Sequence, residues 1–552
     1  MKIYLKKPNK MKTNHHTILF AFVLSMYFIT APAQTKRDSL QNQTVTVVKS
    51  YTPTVRDADK ISVNPSLGQG ENFEKIPQSY STLDVEAVST YIAEKGKLVR
   101  PSVSNKNLEN IPGYVELAVG NEKAFRLKSF YDVSLEDDWK AGGIISFFSL
   151  GSTTFDTLRL NSFTDFDTEV FARRKTDASH WFLNANYSAR HSAYRDTLTP
   201  FGTLKTAFTN HHPGLHLGAE FYDSFLRKTD FKYRFLSSFT AHEHDLDLNA
   251  EFVFPVAGFD ITTGFTTAWV NGNAATGYSN FQAGIFPAFR YERERFLFKL
   301  GFKLFYQNRT DINDAILFYP DISVEYNMVP ELLTLYLSYE GRVKTVSYDE
   351  MLKNNRYIAT VTELKPTSTP YHLNGGFKGS IGTRMNFNLS LGMAQEKNRP
   401  FLVTDKRAEG IILKPVYDDL NYFYFKTHLS YVANRNFETK LKFDYYQYSP
   451  ETLQKAWNLE DYKVSWLMRM NIAKFDLRTD LYYIGPRYDL WNNTVVKTGE
   501  TVDLNLKAGY HLLQGLYIYV EGNNLLNRKD LIYYNYPAHG LHILAGVSYS
   551  FK

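Results

Sequence analysis

The chain has 552 residues, of which 16% are aromatic (39 Tyr and 41 Phe), no cysteine, and a formal net charge of +6 from 63 basic and 57 acidic residues. The lack of cysteine excludes disulfides, thiolate metal sites and a lipid-modified N-terminal cysteine. The nearly balanced charge, with no Lys/Arg block after the first segment, argues against a nucleic-acid partner. The aromatic content is typical of strands that carry aromatic girdles at membrane interfaces.

The first 33 residues have the pattern of a signal peptide. Several lysines precede an apolar run at 18–29, and small residues at 31–33 offer a cleavage site before Gln34. A membrane anchor is the alternative, but it needs a longer apolar run of about 18 to 20 residues. Either Met1 or Met11 is a candidate start. We therefore expect an exported protein.

Residues 34–112 differ in composition, because they are polar and interrupted by proline. They predict a weakly ordered arm or a small plug remnant. The chain is thus divided into a signal peptide at 1–33, an N-terminal arm or plug remnant at 34–112, and an outer-membrane β-barrel at 113–552.

From residue 113 onward, polar and apolar residues alternate with the period of two that is typical of strands. The last segment carries one apolar face, formed by Leu541, Ile543, Ala545, Val547, Tyr549 and Phe551. Tyr549 and Phe551 are expected to take part in barrel closure. In other strands the second face carries charges of both signs, which a water-filled lumen tolerates. The side chains predicted to face the lumen are Lys299, Lys303, Glu438, Lys440, Lys442, Asp444, Asp476, Arg478 and Asp480.

About 22 alternating runs can be marked, an even number as bacterial single-chain barrels require. Every second connection is tight, as at 136–138, 227–229, 381–382, 435–436 and 513–514. The others include long outer loops at 156–164, 191–213, 343–370, 396–420, 485–500 and 524–539. We predict an all-β fold, a closed transmembrane antiparallel β-barrel preceded by a short periplasmic or lumenal arm. A soluble propeller or repeated sandwich would show repeats of fixed length, which we do not find.

Two stretches resemble TonB-dependent receptor barrels. The C-terminal sequence GLYIYVEGNNLLN at 515–527, followed by a closing strand that ends in Phe551, is similar to the end of these barrels. The stretch GYVELAVGN at 113–121, with VKSYTPTVRDADKI at 48–61, resembles a Bacteroidota group of TonB-dependent-receptor-like proteins. Two departures are Leu526 in place of the usual Phe, and Lys552 after the terminal aromatic residue.

The resemblance implies a receptor that is inserted into the outer membrane by the barrel-assembly machinery and that has TonB as a partner. Family members also carry a TonB box and a folded plug longer than residues 34–112, so a reduced or absent plug is expected here. The Val/Thr run at 44–48 could serve as a TonB-box-like strand.

No catalytic motif is found: the sequence has no Gly-x-Ser-x-Gly elbow, no Walker loop and no His-Glu-x-x-His helix, so we expect neither an enzyme nor a cofactor. His211, His212 and His216 are predicted in or beside one outer loop, and His242 and His244 in the next. Imidazoles there could bind a metal ion, although solvated histidines are the favoured interpretation. Asp311 and Asp314 are similarly interpreted first as residues of a loop turn, and only second as ligands of a calcium ion.

Two functions remain open. The first is the binding or passage of a solute through the barrel, whose lumen must be filled by residues 34–112, by the loops at 343–370 and 396–420, or by another protein. The second is a non-transporting scaffold subunit, with a periplasmic or surface lipoprotein as its partner. Outer-membrane lipid surrounds the barrel in both cases.

Overall fold

The computed structural model describes residues 113–151, 154–155, 158–159, 162–196, 204–239, 241–256, 258–274, 276–309, 312–330, 332–356, 358, 364–407, 410–434, 436–534 and 536–551. The predicted signal peptide and N-terminal arm lie outside the described residues. Their assignments therefore stay predictions.

The described chain forms one sheet of 22 strands, numbered here in chain order. The first eleven are β1 (Gly113–Gly120), β2 (Phe125–Ser134), β3 (Trp139–Leu150), β4 (Ser162–Lys175), β5 (Ser179–Asp196), β6 (Leu204–Phe221), β7 (Leu226–Ser237), β8 (Ala241–Val256), β9 (Phe259–Ala274), β10 (Thr276–Arg293) and β11 (Phe296–Arg309). The others are β12 (Ile312–Val329), β13 (Leu333–Lys344), β14 (Thr367–Ile381), β15 (Met385–Arg407), β16 (Gly410–Asn434), β17 (Phe437–Pro450), β18 (Tyr462–Ile472), β19 (Phe475–Ile484), β20 (Thr501–Leu513), β21 (Leu516–Asn523) and β22 (His542–Phe551).

The sheet closes on itself. Each strand pairs antiparallel with the next along the chain, and β1 pairs with β22 as well as with β2. The closing ladder runs from Gly113 opposite Phe551 to Gly120 opposite Leu544. The predicted closed antiparallel barrel of about 22 strands is therefore confirmed, and its last strand pairs with its first.

Successive side chains alternate between the two faces of this sheet. The outer face carries large exposed apolar side chains such as Leu300 (50% exposed), Leu441 (41%) and Val520 (53%). The inner face is identified by the loop after β13, which contacts Asp165 on β4 and Glu243 on β8. A loop can touch strands so far apart around the barrel only by crossing the lumen.

At one end of the barrel the strands are joined by connections of only two to four residues, at 135–138, 176–178, 222–225, 257–258, 294–295, 330–332, 382–384, 435–436, 473–474 and 514–515. This confirms the predicted alternation of short and long connections. The turn predicted at 227–229 is wrong, because those residues lie within β7 and the chain turns at 222–225. Short turns mark the periplasmic end of such barrels.

The opposite end carries the long connections, of which 345–366, 485–500 and 524–541 match the predicted loops. Two predicted loops are wrong. Residues 191–213 belong largely to β5 and β6, and residues 396–420 to β15 and β16. Small hairpins occupy 154–155/158–159, 488–491/494–497 and 531–533/536–537. In the described ranges no helix is long and apolar enough to cross a membrane.

Candidate functional site

The connection between β13 and β14, residues 345–366, is called the lid loop here. It contains a short helix, α1 (Tyr348–Asn354). Ser347 caps this helix, because its hydroxyl accepts a hydrogen bond from the backbone N–H of Glu350 (3.1 Å). The pattern Ser-x-x-Glu is a capping box, which specifies where a helix begins.

Glu243 on β8 is the main barrel contact of α1. Its carboxylate accepts the backbone N–H groups of Tyr348 (2.7 Å) and Asp349 (2.9 Å), and also the hydroxyl of Tyr278 on β10 (2.5 Å). Glu243 is fully buried. A buried carboxylate is costly unless its oxygens are hydrogen-bonded. The two N–H donors of the lid loop therefore stabilise the buried Glu243, and Glu243 in turn holds the lid loop against the wall.

Asp349, in the first turn of α1, is a second link to the wall. Its carboxylate contacts His212 on β6, and it accepts a hydrogen bond from Lys353 one turn along the helix (2.5 Å). Burial acts to raise the pKa of the Asp349 carboxyl, but the hydrogen bonds and charges of His212 and Lys353 outweigh it and hold that pKa below its usual range. Asp349 is therefore ionised at neutral pH.

Arg356 is the third link. Its guanidinium donates to both carboxylate oxygens of Asp165 on β4, at 3.1 and 2.9 Å, and lies over the ring of Phe163 (4.5 Å from the ring centre). Bidentate pairs of this kind are the strong ones, because both N–H groups are held in line with the carboxylate. The lid loop thus spans the lumen from β13 to β4.

An apolar cluster fills the space between the lid loop and the inner wall. The lid cluster consists of Leu236, Ala241, Ala274, Val346, Tyr348, Met351, Leu352, Ile358 and Leu364, all buried. Leu402 packs against it from β15. The outer mouth therefore has a small hydrophobic core of its own.

The outer parts of β15 and β16, residues 399–407 and 410–418, form a two-stranded ribbon that continues past their neighbours. Pairing of β15 with β14 ends at Lys397, and pairing of β16 with β17 ends at Leu420. Phe401 and Val403 of the ribbon pack around Trp457. The ribbon also meets the lid loop, since Leu413 bridges to Ile358.

Asp489, in the β19–β20 connection, ties the ribbon to the other outer loops. Its buried carboxylate accepts the N–H and hydroxyl of Thr404 (3.0 and 2.5 Å) and the N–H of Tyr534 (3.2 Å). It also accepts the N–H of Leu490 (2.7 Å). These four hydrogen bonds to one carboxylate link the ribbon, the β19–β20 connection and the β21–β22 connection at the outer mouth.

The side chains predicted to face the lumen lie on the strand face opposite the exposed apolar residues. Most of them form ion pairs: Lys299 with Asp321 (2.6 Å), Lys303 with Glu340 (3.3 Å), Lys440 with Glu438 (2.8 Å) and Arg478 with Asp480 (2.9 Å). The carboxylate of Asp444 contacts the ring of His428 (3.5 Å). Lys442 lies opposite His428 in the ladder, and Asp476 opposite Asn471. The inner wall is therefore hydrophilic and of mixed charge.

A further charged group, which the sequence did not single out, lies at the closing seam. Arg126 on β2 forms a bidentate pair with Glu521 on β21 (2.8 and 3.0 Å), reaching over β1 and β22. The hydroxyl of Tyr519 donates to Glu116 on β1 (2.7 Å). These contacts join the first two strands to the last two.

The candidate metal ligands His211, His212, His242 and His244 are not brought together. They lie in β6 and β8 rather than in outer loops. Adjacent residues of a strand face opposite sides, so buried His212 faces inward, while His211 bonds to Tyr187 (2.7 Å) on the other face. Among the described residues, no group of three or more His, Cys, Asp or Glu is arranged to hold a metal ion.

The proposed calcium turn is also accounted for by local contacts. Asp314 accepts hydrogen bonds from the hydroxyl of Tyr306 (2.7 Å) and the amide of Asn308 (2.6 Å). Asp311 lies outside the described residues. The predicted turn is wrong at Asp314, which lies within β12 and is hydrogen-bonded to the neighbouring β11.

No protein-family model and no curated protein matches the chain. Several solved structures, in contrast, are similar to the chain. The iron transporter FrpB of Neisseria meningitidis is 10% identical, with a TM-score of 0.62 over 80% of this chain and 81% of that chain. The ferric-catecholate import receptor Fiu of E. coli K12 is 10% identical, with a TM-score of 0.61 over 80% and 81%.

The ferripyoverdine receptor of the outer membrane of Pseudomonas aeruginosa is 12% identical, with a TM-score of 0.59 over 80% of this chain and 71% of that chain. Structural similarity at sequence identities of 10 to 12% shows a shared fold and nothing more. The chain therefore shares the fold of these receptor and transporter barrels.

Proposed function

We propose that this chain is an outer-membrane receptor barrel that admits a solute from outside when its lid loop moves aside. The observation that carries the proposal is a closed ring of 22 strands with a hydrophilic inner wall, whose outer mouth is occupied by a loop held through Glu243, Asp349 and Arg356. A ring of this size encloses more space than side chains fill. Movement of one loop would therefore open a path.

Solute passage is tested with the full-length protein in planar bilayers and with a deletion strain. We expect low basal conductance, because the mouth is packed, and loss of uptake of the cognate solute when the gene is deleted. A protein with low conductance whose loss changes no uptake across a panel of solutes would contradict the transport function.

The membrane setting makes a prediction about the two strand faces. Leu441→Arg on the outer face of β17 should reduce the yield of inserted barrel, because a lipid-facing cation near the bilayer midplane costs about 2 to 4 kcal/mol. Lys442→Leu, the adjacent residue on the inner face, is the matched control and should be tolerated. Folded yield is read from heat-modifiable migration on gels. Equal yields would show that the faces are assigned wrongly.

We propose that residues 34–112 occupy the lumen or the periplasmic mouth without forming a complete plug, as the reduced plug of a Bacteroidota-type TonB-dependent-receptor-like barrel, with 44–48 as the strand that pairs with TonB. Removing residues 34–108 should leave a foldable barrel, because the strands begin at Gly113. In a barrel whose lid loop is also released, we expect this truncation to give higher conductance and greater sensitivity to bulky antibiotics than lid release alone. Unchanged permeability in an inserted truncation would mean that the arm is not a seal.

A scaffold is the second candidate, and the packing of the mouth favours it. The lid cluster, Trp457 and Asp489 make the outer segments one buried body, which could present a fixed surface to a lipoprotein partner. Stoichiometric co-purification with another outer-membrane protein, together with no conductance after lid release, would support this function over transport.

A further inference from the structure

An open cavity of about 540 Å³ lies on the outer face of the barrel, beside the tight turn between β10 and β11. Short turns mark the periplasmic end, so the cavity lies where the wall meets the periplasmic leaflet of the membrane. Its volume is within the range of about 300 to 1,000 Å³ that is usual for small-molecule sites. None of its described lining residues belongs to the lid loop.

The apolar part of this cavity is mainly aromatic. The rings of Phe296 and Tyr326 stack with their centres 4.5 Å apart, and Tyr291 lies opposite Phe298 in the β10–β11 ladder. The strand register places all four on the same face as Leu300, which is exposed on the outer wall. An apolar chain that enters the cavity therefore continues onto the lipid-facing surface.

The charged part of the cavity is the turn itself. Arg293 and Arg295 both line the cavity, with Glu294 between them, so the turn has a net charge of +1. Both arginines are exposed, and within the described ranges neither forms an ion pair. Glu292 is already paired with Arg290 (3.0 Å). The Cα atoms of the two lining arginines are at most about 7.6 Å apart, so both long side chains can reach one headgroup.

The two parts together select the occupant. A soluble anion would leave the aromatic groove uncovered, and a fatty chain without a headgroup would leave the guanidinium groups without a partner. A second copy of the chain, packed symmetrically, would bring the same basic turn against this one. A phospholipid carries a phosphate and apolar chains in one molecule, and it is present on this face in any membrane.

We propose that the cavity binds an anionic phospholipid of the periplasmic leaflet. Arg293 and Arg295 hold its phosphate through charge-assisted hydrogen bonds, and one acyl chain lies along Phe298 and Val324. A lipid with one negative charge neutralises the turn. Because the lipid binds the folded barrel, it stabilises the folded state by mass action.

The test is native mass spectrometry of the full-length protein in detergent. The probes are phosphatidylglycerol, phosphatidylcholine with the same acyl chains, and glycerol 3-phosphate. We expect one phosphatidylglycerol to be retained at least about fivefold better than phosphatidylcholine. Glycerol 3-phosphate at equal concentration should not displace it, because it lacks the acyl chains.

Arg293→Gln and Arg295→Gln should each weaken retention of phosphatidylglycerol by about fivefold. Arg384→Gln is the matched control, because Arg384 is an exposed arginine of another short connection, at 382–384, and does not line the cavity. Its retention should equal that of the intact protein. Heat-modifiable migration checks that each variant is folded.

Equal retention of the two lipids, displacement by glycerol 3-phosphate, or unchanged retention in both lining variants would overturn the proposal. A dimer of the intact protein that dissociates in Arg293→Gln would also overturn it, because the face would then belong to a second copy. None of these outcomes depends on whether the barrel transports a solute.

Discussion

Removing residues 549–552 is expected to abolish stable assembly of the barrel. Tyr549 pairs with Val115 on β1 and with Leu516 on β21, and Phe551 pairs with Gly113. Without these residues, backbone N–H and C=O groups of both neighbours face hydrocarbon with no partner. Each such group costs several kcal/mol, because lipid offers no hydrogen bonds.

The readout is heat-modifiable migration together with protease resistance in outer-membrane fractions. Removal of Lys552 alone is the matched control, because Phe551 is the last residue of β22 and the paired ladder stays complete. We expect folded protein from the control and degraded or aggregated protein from the longer deletion. A longer deletion that still migrates as a folded barrel would exclude closure through the end of β22.

The barrel itself could be predicted because lipid and lumen impose opposite demands on alternate residues. In β17 the apolar Leu441 and Phe443 alternate with Lys440 and Lys442, and this alternation can be recognised in the sequence alone. An even number of strands is then expected, because bacterial single-chain barrels have even numbers of strands. Neither inference needs knowledge of a distant contact.

The ribbon at 399–418 was mistaken for a loop for a related reason. Phe401 and Val403 pack around Trp457 on one side, while Leu402 packs against the lid cluster on the other. Both faces are therefore apolar, and the period of two disappears. Strands outside the membrane lack the lipid face on which the prediction relied.

The lid contacts were not predicted, because they join residues far apart in sequence: Arg356 and Asp165 are 191 positions apart. One local signal existed. The sequence from Ser347 to Glu350 is a capping box, and it marks the helix α1, which lies between the strands β13 and β14. A helix in an outer loop needs an apolar partner, which here is the wall around Leu236.

Release of the lid is expected to raise conductance severalfold. In the double variant Glu243→Ala and Arg356→Ala, the N–H groups of Tyr348 and Asp349 lose their acceptor, and the carboxylate of Asp165 loses its bidentate donor but keeps its ion pair with Arg190 (3.9 Å). Leaving a buried polar group unsatisfied costs about 1 to 3 kcal/mol, and several are involved here. The free energy that favours the closed over the open lid loop should therefore largely disappear, while the strands of the barrel wall stay hydrogen-bonded to each other.

The matched control is Arg290→Ala with Glu292→Ala. These residues form an exposed ion pair (3.0 Å) on β10 near its periplasmic end, and such pairs contribute about 0 to 1 kcal/mol. The control changes the same residue types without touching the lid. Conductance should therefore equal that of the intact protein.

Acid should act on the same lid through Asp349. Its pKa is lowered in the folded protein, so its stabilising contribution is present above the ordinary aspartate value of about 3.9 and is lost as the pH falls through the lower folded value. The part of the conductance that Asp349 controls should then rise as the pH falls below about 4. Asp349→Asn should remove this dependence while the barrel remains heat-modifiable.

If the double variant conducts no better than its control, and acid has no effect, the lumen is sealed by something other than the lid loop.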